Sequence, residues 1–164
     1  MKKEAEKREI ARYTLSLLMG IVTVLTLFCP LNAEMSGVEF LSFQKEVTVS
    51  GNTFIGGLIS LLCVTMLLVG ILTIFVSWSR MLKARKKAKL PSFLAFLCVV
   101  CTILYMYASN AIVWINAPTD LDYVSYIPLL INVLLFSIYM LCWAYGRKTE
   151  KKRGSVYQIT YKNL

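Results

Sequence analysis

The chain has 164 residues, of which 57% are hydrophobic and 16% charged, with a mean hydropathy of +0.63. A soluble domain carries about 25% charged residues, and once four spans of about 20 residues are subtracted no length remains for a second domain. The net charge of +9 comes without a single histidine, which removes the commonest general base and metal ligand, and the basic residues flank apolar blocks, so membrane topology explains them and nucleic acid does not.

The predicted elements follow in chain order. Residues 1–12 mix Glu4, Glu6 and Glu9 with five basic residues, unlike the cleanly positive start of a signal peptide. The first span, about 13–29, is therefore expected to stay as an anchor, ending at Pro30. An outer loop, 30–52, follows. Its β-forming stretches 38–43 and 47–49, around Gln44, Lys45 and Glu46, predict a small hairpin. Phe40 and Phe43 have an odd separation and so face opposite ways on a strand; one is expected to pack on the helices and the other to meet a partner or lipid. The second span is about 53–78, the third about 92–115 and the fourth about 127–146, and none of the four contains Asp, Glu, Lys or Arg. Continuous apolar runs of this length must be helices, because a barrel strand alternates. The segments 79–91 and 147–164 are basic, and 116–126 is a short loop with Asp120 and Asp122. The tail 154–164 reads as a flexible end or a short strand-like segment.

Of the 18 Lys and Arg residues, all but Lys45 lie in 1–12, 79–91 and 147–164. Four spans put those three segments on one side, and the positive-inside rule makes that side cytoplasmic. Tyr13, Trp78, Phe93 and Trp143 would form the inner aromatic belt, with Phe28, Phe54 and Trp114 at the outer one. The expected fold is an all-α membrane protein: one domain, an antiparallel four-transmembrane-helix bundle with a small extracellular β-hairpin, in the plasma membrane. The lysine-rich, histidine-free composition suits a bacterial source.

Candidate sites are few. Asn110 and Asn132 are the strongest polar groups in the spans, each about 7–8 Å below the outer boundary at 1.5 Å per residue. They are read as an interhelical hydrogen-bonded pair; the alternative is a small polar pocket with Tyr107 a turn below Asn110. Asn132, Phe136, Tyr139 and Trp143 share one helical face, read as packing surface. Arg80, Lys83, Arg85, Lys86, Lys87 and Lys89 form the densest basic run, placed against anionic headgroups. Ser16 with Gly20, and Gly56 with Ser60, are small pairs four apart that permit close helix approach. Cys98 and Cys101 make a CxxC within an odd total of five cysteines; thiols in apolar surroundings are inert, so the structural reading leads. No histidine, buried carboxylate or phosphate loop is present to assemble an active site, and no cofactor is expected.

On Leu27-Phe28-Cys29-Pro30, the strand-forming loop, Val47-Thr48-Val49-Ser50-Gly51 and Gly56-Gly57, the chain resembles small four-span bacterial membrane proteins. Its plan is also similar to that of claudins, without the tryptophan and paired cysteines of the claudin loop. Four spans with a CxxC resemble membrane thiol oxidoreductases, whose reactive cysteines face outward, unlike these. The topology resembles that of small multidrug exporters, which need an intramembrane carboxylate that is missing here. The functional expectation is a non-enzymatic accessory or interaction protein of a membrane complex, partnered by another membrane protein or its own copy. A small transporter or channel subunit with a path along Asn110, Asn132, Tyr105, Tyr107 and Tyr139 is the alternative, and a thiol-redox protein the third reading.

Overall fold

The computed structural model describes residues 2–29, 36–41, 53–82, 89–116 and 126–162, with side chains over 7–29, 36–38, 41, 57–82, 89–108 and 126–144. Among these residues the chain is helical: α1 (Lys2–Thr26), α2 (Gly37–Leu41), α3 (Thr53–Leu82), α4 (Leu90–Asn116) and α5 (Ile127–Lys162). Stretches of α1, α3, α4 and α5 are long and apolar enough to cross a membrane.

Local chemistry sets several helix ends. The last turn of α1 tightens, with Leu27, Phe28 and Cys29 N–H groups donating to carbonyls three residues back, before Pro30 blocks continuation. α4 and α5 both carry proline in their first turn, Pro91 and Pro128, where its missing N–H costs nothing. The carbonyls of Lys89 and Tyr126 accept the first helical bonds there, from Phe93 and Leu130.

The helices pack as an antiparallel square in which α1 and α4 form the short diagonal: each touches the other three long helices, while α5 lies against α1 and α4 with no substantial contact to α3 among the described residues. α1 and α3 approach most closely at Gly20 and Gly70. A Cβ on Gly20 would stand 2.9 Å from the Gly70 carbonyl oxygen, and one on Gly70 would stand 2.5 Å from Val24 Cγ2. Ser16, the other half of the first small pair, lies on the same seam, where it accepts a 3.0 Å hydrogen bond from the Ser77 hydroxyl. Gly57, next to the second pair, has nothing within 4 Å of its would-be Cβ.

The core is built by three helices. Its buried members are Met19 and Leu27 of α1, Ile59, Cys63, Met66 and Val69 of α3, and Ala95, Cys98, Val99, Cys101, Tyr105 and Met106 of α4. α5 adds Leu129, Leu135 and Phe136, which are only partly buried.

Three expectations change. Residues 37–41 are a turn of helix, α2, where the first strand of the hairpin was expected; residues 42–52, with the rest of that hairpin, lie outside the described residues. The reason is packing. Val38 and Leu41, three apart, both rest on the core, as a helix allows and an alternating strand does not. The Val38 N–H also donates to the free Leu27 carbonyl of α1, at 2.9 Å. The tail is helical as far as Lys162, where a flexible end or a strand-like segment was expected: α5 runs on as one helix, continued past the membrane stretch by 147–153, rich in Lys, Arg and Glu, all good helix formers. Finally, Tyr13, expected in an aromatic belt, is buried in the bundle, whereas Trp78, Phe93 and Phe28 are exposed at the helix ends.

Candidate functional site

Among the described residues, a series of buried polar side chains runs along the bundle axis, while Thr65 and Ser137 are exposed. At the basic end, Arg12 of α1 turns inward and is 8% exposed. One guanidinium nitrogen donates to Glu9 Oε1 at 2.8 Å, and the other donates to the Tyr139 hydroxyl of α5 at 3.1 Å. The guanidinium carbon stands 5.1 Å from the Tyr139 ring centre, within cation–π range. Tyr139 also shares a hydrogen bond with the Ser92 hydroxyl in the first turn of α4. Its ring stacks on Phe136 at 6.3 Å, and Phe136 tilts against Phe96 of α4 at 6.2 Å. A charge in an apolar setting must be paired, and Arg12 is paired on two sides.

One turn further in, Ser16 donates to the Pro91 carbonyl at 3.3 Å while accepting from Ser77, so α1, α3 and α4 meet at one hydroxyl pair. Deeper still is a layer with members from all four long helices: Thr23 (α1), Thr73 (α3), Cys98 and Thr102 (α4) and Asn132 (α5), each fully enclosed. Thr23, Thr73 and Thr102 donate to carbonyls four residues back on their own helices, at 2.8, 2.6 and 2.7 Å, which leaves their oxygens as acceptors. The Asn132 amide nitrogen uses both protons on them, reaching Thr102 at 2.8 Å and Thr23 at 3.2 Å. Its Oδ1 is buried and has no partner among the described residues. Thr73 and Cys98 share a 3.4 Å contact. At the far end Tyr105 donates to the Cys29 carbonyl at 2.8 Å, and α2 seats above it: a Cβ on Gly37 would fall 2.5 Å from the Tyr105 hydroxyl.

The sequence-predicted residues distribute unevenly over this frame. Asn132 is central, held by two threonines; the side chain of Asn110 lies outside the described residues. Tyr105 and Tyr139 are enclosed at 0% and 1% exposure, whereas Tyr107, expected to line a pocket, is 74% exposed and faces away from the core. Asn132 and Tyr139 face inward on the predicted stripe with Phe136. Of the basic run, Arg80 is half-buried near the end of α3 and Lys89 is exposed just before α4, while Lys83, Arg85, Lys86 and Lys87 lie outside the described residues. The side chains of Phe40 and Phe43 lie outside them too. Cys98 and Cys101 are both buried and both free thiols.

Arg12, Thr23, Thr73, Ser77 and Thr102 were not singled out by sequence, and Ser16 only as half of a small pair. A signal existed: Arg12, Ser16, Thr23 and Thr26 recur at helical spacing on one face of α1, and all four are buried. Arg12 was counted with the basic segment before the span, yet α1 is helical from Lys2 onward. Chemically, these hydroxyls and one amide join helices to each other, and the Glu9 carboxylate is engaged by Arg12.

Fold and polar axis together define a class: a four-helix membrane protein with a hydrogen-bonded interior. Comparison with known protein families, curated proteins and solved structures gives no match.

Proposed function

We propose that the protein is a non-enzymatic accessory subunit of a larger complex in the plasma membrane, with both termini in the cytoplasm. The observation that carries this reading is the inward use of polarity. Asn132, Tyr139, Arg12 and the threonines bond to one another in the core, while large apolar side chains crowd the outside, among them Leu58, Leu61, Leu68, Phe75, Leu130, Leu134 and Leu141. Such a surface suits lipid and partner helices, the partner being another membrane protein or a second copy. The near-exclusive placement of Lys and Arg at one end supports the orientation, and Arg80 and Lys89, with Lys83, Arg85, Lys86 and Lys87, would meet anionic headgroups there. Affinity purification in mild detergent tests the role: a stable co-purifying partner or a homo-oligomer is expected, and recovery as a solitary monomer would overturn it. An impermeant thiol reagent tests the orientation. It should label a cysteine placed at Ser36 from outside and spare one placed at Ala84.

The polar axis favours a second reading, a small transporter or channel subunit. That reading needs the axis to open, since Tyr105, Asn132 and Tyr139 are shut in. Solute or ion flux in proteoliposomes that disappears in Asn132→Leu would favour it over the first. The thiol-redox reading stands third, resting on Cys98 and Cys101 alone; unchanged disulfide formation in a Cys98→Ser, Cys101→Ser double variant would remove it.

A further inference from the structure

α5 is attached to the bundle by different means from its neighbours. Over Ile127–Ala144, 17% of it is buried, against 39%, 33% and 44% for the corresponding stretches of α1, α3 and α4. None of the fully buried members of the apolar core comes from α5. Besides Pro128 in its first turn, what α5 encloses carries polar groups: Asn132 and Tyr139, at 0% and 1% exposure. They lie seven residues apart, two turns along one face. Each reaches both α1 and α4, Asn132 through Thr23 and Thr102, and Tyr139 through Arg12 and Ser92. The remaining helices also share hydrogen bonds, through Ser16, Ser77 and the Pro91 carbonyl, but have further means of attachment. α1 and α3 meet backbone to backbone at Gly20 and Gly70, and both pack with α4 around the shared apolar core. In lipid, where apolar burial gives no drive between helices, close packing and hydrogen bonds do the holding; α5 lies along α1 and α4 with less of its length enclosed than theirs, and two hydrogen-bond clusters fasten it there.

We propose that α5 is a separable arm, latched at Asn132 and Tyr139 onto a preassembled α1–α3–α4 unit, and that its movement exposes the polar strip of Arg12, Thr23, Ser92 and Thr102. The helix is continuous for 36 residues, so movement within the bundle is transmitted to the basic stretch beyond Ala144. This inference stands on the packing and does not depend on the accessory role.

The test uses the full chain in lipid nanodiscs. Spin labels are carried on an encoded ketone amino acid, which leaves the native cysteines untouched. One pair, at Leu82 of α3 and Ala144 of α5, reports the arm; a second, at Leu18 of α1 and Phe75 of α3, reports the unit. All four positions are exposed. Pulsed dipolar spectroscopy of Asn132→Leu with Tyr139→Phe should shift the arm distances to a longer, broader distribution while the unit distances stay as in the wild type. Tyr139→Phe alone, which keeps the ring stack on Phe136, should give a smaller shift in the same direction. Broadening of both pairs together would mean that the four helices come apart as one body, and no change in either pair would mean that the latches do not hold α5. Either result overturns the proposal.

Discussion

Adding one methyl group at Gly20 probes the α1–α3 seam. In Gly20→Ala the new Cβ meets the Gly70 carbonyl oxygen and Ile74 Cγ1, both at 2.9 Å, with the Ile74 backbone nitrogen at 3.2 Å. Ordinary contact begins at about 3.5 Å, so about half an ångström must be found. Two of the three obstructing atoms are backbone, so no rotamer change can provide it and the helices must separate. Overpacking of this kind costs about 1–3 kcal/mol, against a gain of about 1 kcal/mol from the better helix propensity of alanine. Gly57→Ala supplies the control: it has the same propensity gain and nothing within 4 Å to strike. The difference between the two variants therefore reports the steric cost alone, about 1–3 kcal/mol in favour of Gly57→Ala. Reversible unfolding by SDS in mixed micelles, followed by tryptophan fluorescence, measures it. Two variants that agree within about 0.5 kcal/mol, the spread of unremarkable surface changes, would show that the seam is not close-packed.

Other expectations follow from the polar axis. A double-mutant cycle with Asn132→Ala and Thr102→Val should give a coupling energy of about 0.5–2 kcal/mol in the same unfolding assay; additive effects would mean that the 2.8 Å hydrogen bond contributes nothing. Gly37→Ala should destabilise the seat of α2, and Tyr105→Phe should relieve part of that loss by removing the hydroxyl that the new Cβ would strike at 2.5 Å. A larger loss in the double variant than in Gly37→Ala would contradict this geometry. Tyr105→Phe alone should cost about 1 kcal/mol, the worth of one hydrogen bond, and should speed amide exchange around Cys29, whose carbonyl it holds; unaltered exchange there would argue against the contact.

The helices were legible because the bilayer leaves few choices: a long uncharged apolar run can only be a helix, as for α3, α4 and the first half of α5. Pro30 marked the end of the first span because proline cannot continue a helix. The interior was harder to read. Threonine and serine look unremarkable in membrane helices, since each can bond its own backbone, and nothing in one sequence says which of them face Asn132. Arg12 was hidden by a boundary drawn at the last charge, although arginine can enter a bundle when Glu9 and Tyr139 await it. The segment 38–41 misled because Val38 and Phe40 are strand formers in isolation. Its helical turn at 37–41 depends on contacts with Leu27 and Tyr105, which lie far away in sequence or on another helix.

The threonines have a consequence for biogenesis. Thr23, Thr26, Thr73 and Thr102 each donate to a carbonyl on their own helix, so their hydroxyl protons are satisfied before any neighbour arrives. α3 and α4 can therefore leave the insertion machinery singly, without carrying an unmet donor from these residues into lipid. Asn132 has no such recourse, because its two amide protons find their acceptors on α1 and α4. α5 is also synthesised after both of them. When it emerges, the acceptors for Asn132 are already present in the membrane, so the order of the chain matches the order in which its polar groups need one another.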